Sequence, residues 1–310
     1  MARAAPIGGI VAAMQAFLGA LLTLALAVPA CAAGRAAPGP VHGLWLWKST
    51  SVLQAPQDAQ ALGEFCRSAG ITEVYASAPA HYDAAEELKL AQFIALLHAS
   101  GIRAEALISS INGDEDGAPR NKVLSHVQAI LEFNRRHAAQ PFDGVHLDIE
   151  PQQRAENKGP GNLGFLPGLL ETYRAVRTMT DGAGLTLNAD IQNKLLKGDM
   201  QQRRSLLTSV PRLTLMLYEL SRPDDGTTPA EKIETLRQSS ANFFDMAYEG
   251  LDAPDLAKMS IALRTPDYGP QLPEMLASLD AANLGNAHYL GWARHSYNDT
   301  LAAPAALRAP

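Results

Sequence analysis

Cysteine is nearly missing from this chain: its 310 residues hold two, Cys31 and Cys66. Cys31 lies in an N-terminal stretch that reads as removable, and the single cysteine left behind makes no internal disulfide. Cys66 falls in the helical pattern Leu62, Phe65, Cys66, Ala69, the setting of a buried apolar thiol rather than a catalytic one. Dense Lys/Arg blocks are absent and the net charge is −6, which argues against nucleic acid and anionic membrane surfaces as partners. No phosphate-binding glycine loop follows an early strand, so a doubly wound sheet holding a dinucleotide is not indicated. What is present is an ordinary globular composition, 47% hydrophobic and 19% charged, sufficient for one large domain or two modest ones.

Residues 1–32 have the pattern of an export signal: Arg3 as the only early charge, an apolar run densest from Ala16 to Val28, and small residues at Ala30-Cys31-Ala32-Ala33. Cleavage after Ala32 is expected, giving a periplasmic or extracellular protein. Two alternatives stay open: lipoprotein processing at Cys31, which Pro29 fits poorly, and a retained anchor running from Ile10. Any membrane association would come through this segment alone. Residues 33–40 read as a short Gly/Ala/Pro linker, and residues 41–310 as the folded domain.

From Val41 onward, strand-like and helix-like segments alternate. Strands are expected at Val41–Trp47, Ile71–Ala78, Ile102–Ser109, Gly144–Glu150, Leu185–Ile191, Leu213–Glu219, Met259–Arg264 and His288–Ala293, with helical patterns between them. Asp58 and Thr228 look like helix starts, and Gly70 and Gly101 like left-handed helix ends. Eight such units predict an α/β fold, a single (β/α)8 TIM barrel. Polar and aromatic residues gather at the C-terminal strand ends, where barrel enzymes build their sites.

The run Phe142–Pro151, FDGVHLDIEP, carries the chemistry. Its alternation places His146, Asp148 and Glu150 on one strand face. Three ionisable groups there are costly to bury without a purpose, and each carboxylate disfavours ionisation of the other. One carboxyl held protonated near neutral pH is what a general acid requires. Asp148 and Glu150 are neighbours about 7 Å apart along one wall, not a pair facing each other across a sugar. His-x-Asp-x-Glu also offers three ligands to a metal, but His42, His81 and His288 form no tight motif to complete a site, so no metal and no cofactor is expected.

This segment resembles the DGxDxDxE signature of glycoside hydrolase family 18, the chitinase-like barrels. Asp143, Gly144, Asp148 and Glu150 match, and His146 stands where the family has its middle Asp. Ser110-Ile111-Asn112-Gly113 is similar to the family's SxGG turn, and Met216-Leu217-Tyr218-Glu219 to its M-x-Y-D/E motif. The resemblance implies a hydrolase acting on a carbohydrate, with Glu150 as general acid and Asp148 as stabiliser of developing positive charge. It further implies that the substrate's own 2-acetamido oxygen is the nucleophile, steadied by Tyr218, and that Trp292 floors the sugar site. His146 is expected to orient Asp148 by a hydrogen bond and, if charged, to hold it ionised. Trp47 is a stacking candidate near the rim. Asp190 and Glu219 are candidates for binding sugar hydroxyls or for a rim salt bridge with Arg264. The missing middle Asp leaves a non-catalytic carbohydrate-binding barrel as the alternative, with a metallohydrolase behind it.

Overall fold

The computed structural model describes residues 39–81, 83–159, 161–218 and 226–302. The signal, most of the linker and Glu219 therefore lie outside the described residues. Eight parallel strands close in sequence order: β1 (Val41–Leu46), β2 (Glu73–Ser77), β3 (Arg103–Ser110), β4 (Gly144–Ile149), β5 (Thr186–Gln192), β6 (Arg212–Met216), β7 (Lys258–Arg264) and β8 (Tyr289–His295). β1 pairs with β8, with Val41 opposite Gly291, so the sheet has no free edge. A helix follows each strand on the outside: α1 (Pro56–Ser68), α2 (Ala84–Ala99), α3 (Ala118–Arg136), α4 (Leu166–Ala183), α5 (Met200–Ser209), α6 (Pro229–Tyr248), α7 (Leu272–Ala282) and the short α8 (Tyr297–Ala302). The chain is a (β/α)8 barrel.

Local chemistry accounts for the ends of these elements. Gly70 and Gly101 take φ of +66° and +73° just past α1 and α2, the left-handed region only glycine enters without strain. Thr228 caps α6 through the backbone N–H of Glu231. Asp58 is not the start of α1: the helix begins two residues earlier at Pro56, and the Asp58 carboxylate reaches back to the backbone N–H of Ala55.

Apolar side chains separate into two cores. The larger lies between the barrel wall and the helices and takes in Leu44, Val74, Ile108, Val145, Leu147 and Leu215. The smaller lies inside the barrel, where Trp45, Tyr75, Leu107, Ala262 and Ala293 meet. Barrel interiors are usually filled with branched aliphatic side chains. Here much of the filling is polar and buried, including Glu73, Glu105, His146, Asn188, Asp190 and Thr214.

Candidate active site

β4 is buried along its whole length, and its alternation aims His146 and Asp148 into the barrel, with Glu150 one residue past the strand at the C-terminal rim. Asp148 faces Ser109 in the β3–β4 register, and the Ser109 hydroxyl donates to its Oδ2 at 3.0 Å. Burial, then the negative charges of Asp190 and Glu150, push the Asp148 carboxyl well above the usual carboxylate range. This setting disfavours the anionic form expected from the motif.

Glu150 is half-buried. Its carboxyl accepts from the side-chain amides of Gln192 and Gln152, each at 3.1 Å, and from that of Gln153. Burial first, and Asp190 second, raise its pKa, and the amide bonds only temper that rise. A partly exposed carboxyl with a raised pKa at a barrel mouth has the properties of a proton donor.

His146 departs from expectation. Neither nitrogen bonds Asp148. Nδ1 faces Glu105 Oε2 at 3.2 Å and Nε2 faces Asp190 Oδ1 at 2.8 Å, with all three side chains buried. Burial would lower its pKa, but Asp190 and Glu105 outweigh that and bring it up to about 9. The Trp45 indole donates to the other Asp190 oxygen at 3.3 Å. Below this, the Arg212 guanidinium bridges Glu105, at 3.0 Å, and Glu73. Both His146 nitrogens are thus taken, and among the described residues no group of three or more His, Cys, Asp or Glu is placed to hold a metal.

The other candidates divide between the rim and elsewhere. Tyr218 sits in the turn after β6, which ends at Met216 rather than Glu219; its hydroxyl is buried with no hydrogen-bond partner among the described residues. Trp47 is at the rim, its indole donating to His295 Nε2 at 2.9 Å. Arg264 lies with its guanidinium 5.9 Å from the centre of the Tyr218 ring and pairs with Asp267 at 3.6 Å, not with Asp190. Two candidates are elsewhere. Asp143 is at the opposite, N-terminal end of β4, accepting from His98 at 2.9 Å and the Ala104 backbone at 2.8 Å. Trp292 faces outward from β8, stacked on His42 at 4.0 Å and donating to Asp280 at 3.1 Å, so it floors no interior site.

Sequence reasoning missed Glu105, Arg212, Gln192 and His295. The last was lost because β8 runs two residues further than its apolar pattern suggests, bringing His295 to the rim within 5.4 Å of the Tyr218 ring. A cleft of about 500 Å³ opens between the end of β3 and α3, lined by Ser109, Ser110, Ile111, Asn112, Lys122 and His126 among others. It contains no carboxylate and touches the site only through Ser109, so the chemistry is placed by the strand ends rather than by this cleft.

No family model matches the chain, and no curated protein matches it. Solved structures do. A GH18 chitinase from Pseudoalteromonas aurantia aligns over 84% of this chain and 95% of its own, at 11% identity and a TM-score of 0.55. The PgaB (BpsB) glycoside hydrolase domain from Bordetella bronchiseptica aligns over 86% and 96%, at 11% identity and a TM-score of 0.49. A chitinase from Chromobacterium violaceum aligns over 73% and 69%, at 14% identity and a TM-score of 0.44. At such identities the likeness to the first of these is one of fold, the closed barrel running through nearly the whole of that chain.

Proposed function

We propose that this protein is an exported glycoside hydrolase acting on a polysaccharide or oligosaccharide containing N-acetylhexosamine. The observation that carries the reading is Glu150: a half-exposed carboxyl with a raised pKa at the barrel mouth, beside Asp148 and below three side-chain amides that fix its position. Glu150 protonates the leaving glycosidic oxygen. Asp148, beside Glu150 on the same wall, stabilises positive charge developing on the substrate. The buried Tyr218 hydroxyl, without a protein partner among the described residues, is available to the substrate's 2-acetamido group, whose oxygen serves as the nucleophile. Trp47 and Arg264 line the approach. The motif match at Asp143–Glu150 and the fold shared with a chitinase support this assignment, and export rests on the pattern of residues 1–32.

The test is turnover of chitin oligomers, peptidoglycan fragments and bacterial surface polysaccharides, scored by product analysis. On an accepted substrate, Glu150→Gln is expected to lose on the order of 10²–10⁴ in kcat. Equal turnover by parent and variant would reject the acid role. Saturable binding with no product from the parent would make the chain a carbohydrate-binding barrel instead.

A further inference from the structure

Asp148, Glu150 and Asp190 converge at the rim, and a single buried imidazole lies beneath them. The β4–β5 register sets His146 opposite Asn188 and Leu147 opposite Ala189, and Gln192 reaches Glu150 one layer up. Asp148 and Asp190 thereby fall on adjacent strands, about 4.8 Å apart in the pairing direction. Carboxylates so placed disfavour one another's ionisation.

We propose that Asp190, clamped between His146 and Trp45, is the fixed negative charge of the site and holds the catalytic proton on Glu150. The proposal rests on the reading of Glu150 as general acid. Its basis is geometric. An ionised carboxylate only accepts hydrogen bonds, and both His146 nitrogens face carboxylates, so both carry protons and the ring is an imidazolium. Glu105 draws its second partner from Arg212, whereas His146 is the only cation paired with Asp190 among the described residues. With Trp45 donating to the other oxygen, both Asp190 oxygens are held by donors. The protons then reside on the two carboxyls that have no cationic partner among the described residues, Asp148, bonded to the Ser109 hydroxyl, and Glu150, bonded to neutral amides.

The groups facing His146 come from every neighbouring strand. They are Glu105 on β3, Asp190 on β5, the Tyr75 ring on β2 at 3.9 Å and the Trp45 ring on β1 at 5.6 Å, with Asp148 next on its own strand. Glu150 meets Gln152, Gln153 and Gln192 and feels Asp190. On β8, His295 accepts from Trp47 at Nε2 and faces Asp299 through Nδ1 at 3.4 Å, and burial lowers its pKa. Arg264 on β7 is turned to Tyr218 and Asp267. Asp190 is thus a positioning residue acting through Glu150.

The experiment is a ¹³C-carboxyl NMR titration, with the Glu150 signal assigned by its disappearance in Glu150→Gln. In the parent, Glu150 is expected to titrate clearly above the ordinary glutamate value of about 4.3, and in Asp190→Asn to fall by about one unit or more. Asp190→Glu should keep the midpoint raised. A loss of thermal stability in Asp190→Asn with an unmoved Glu150 midpoint overturns the proposal. A second measurement needs no variant: the His146 ring nitrogens of the parent, followed by ¹⁵N NMR, should both stay protonated at neutral pH. A neutral His146 at pH 7 overturns the proposal equally, and this arm decides if Asp190→Asn does not fold. Neither arm uses substrate. If Glu150 responds to Asp190 while Glu150→Gln still turns over, the glycosidase reading fails and the charge coupling stands.

Discussion

Ionisable side chains inside the barrel tie the stability of this protein to pH, each with a definite sign. A group whose pKa is raised on folding contributes stability below its unfolded value and loses it as pH rises through the folded one. His146, brought from 6.5 up to about 9, follows this rule: its contribution is complete below about pH 6.5 and gone by about pH 9. Asp148 and Glu150, also raised, act in the same direction. Glu105 is opposite: burial would raise it, but Arg212 and His146 bring it down to about 2, so its contribution is lost only as pH falls from about 4.3 toward 2. Urea denaturation is therefore expected to show unfolding free energy declining from pH 6.5 to 9. Asp148→Asn removes a carboxyl that is costly to ionise, and should exceed the parent in stability by about 1–2 kcal/mol at the alkaline end. A flat parent profile, or a variant weaker than the parent at pH 9, contradicts this account.

Between elements, the loops after β3 and β4 act as one unit. The Asp114-Glu115-Asp116 stretch reads in sequence as solvated, yet Asp114 is buried because the Arg154 guanidinium grips both its oxygens, each at 2.8 Å. The same arginine reaches Glu115 at 2.7 Å. This clamp seats the 3₁₀ turn Pro151–Gln153, whose two glutamines hold Glu150. Arg154→Met should leave a buried carboxylate unpaired, costing about 2–3 kcal/mol by chemical denaturation. Turnover should fall with it, since Gln152 and Gln153 lose their support. An unchanged denaturation midpoint would remove the clamp from the account. Close packing inside the barrel makes a second expectation at this scale. A Cβ on Gly43 would collide with the Tyr75 hydroxyl, so Gly43→Ala should destabilise the protein by about 1–3 kcal/mol, measured the same way.

For the whole molecule, Cys66 reports on cooperativity. It is fully buried on the inner face of α1, and burial pushes its thiol up to about 12, so no thiolate is presented to reagent in the folded state. Its labelling by a thiol reagent should follow global opening, with the same denaturant dependence as loss of the barrel's circular dichroism. Fast labelling at zero denaturant would reveal a local opening of α1.

The alternation of apolar runs determined the eight strands and their helices, because burial on two faces of a closed sheet leaves a short-range signature in the chain. The phase of that alternation also put Asp148 and Glu150 on one wall of β4 and Tyr218 near the end of β6. Only the tertiary structure decided who meets whom across the barrel. His146 turned to Asp190 and Glu105, not to its own-strand neighbour Asp148, and Arg212 joined residues 139 and 107 positions away. Trp292 faces outward because its neighbour Ala293 is the residue turned into the barrel, and the rim moves to His295 because β8 ends two residues later than its hydrophobic pattern suggests. Strand direction is encoded locally; the register between strands, and with it the charge on each buried group, is set by closure of the sheet, to which residues far apart in sequence contribute together.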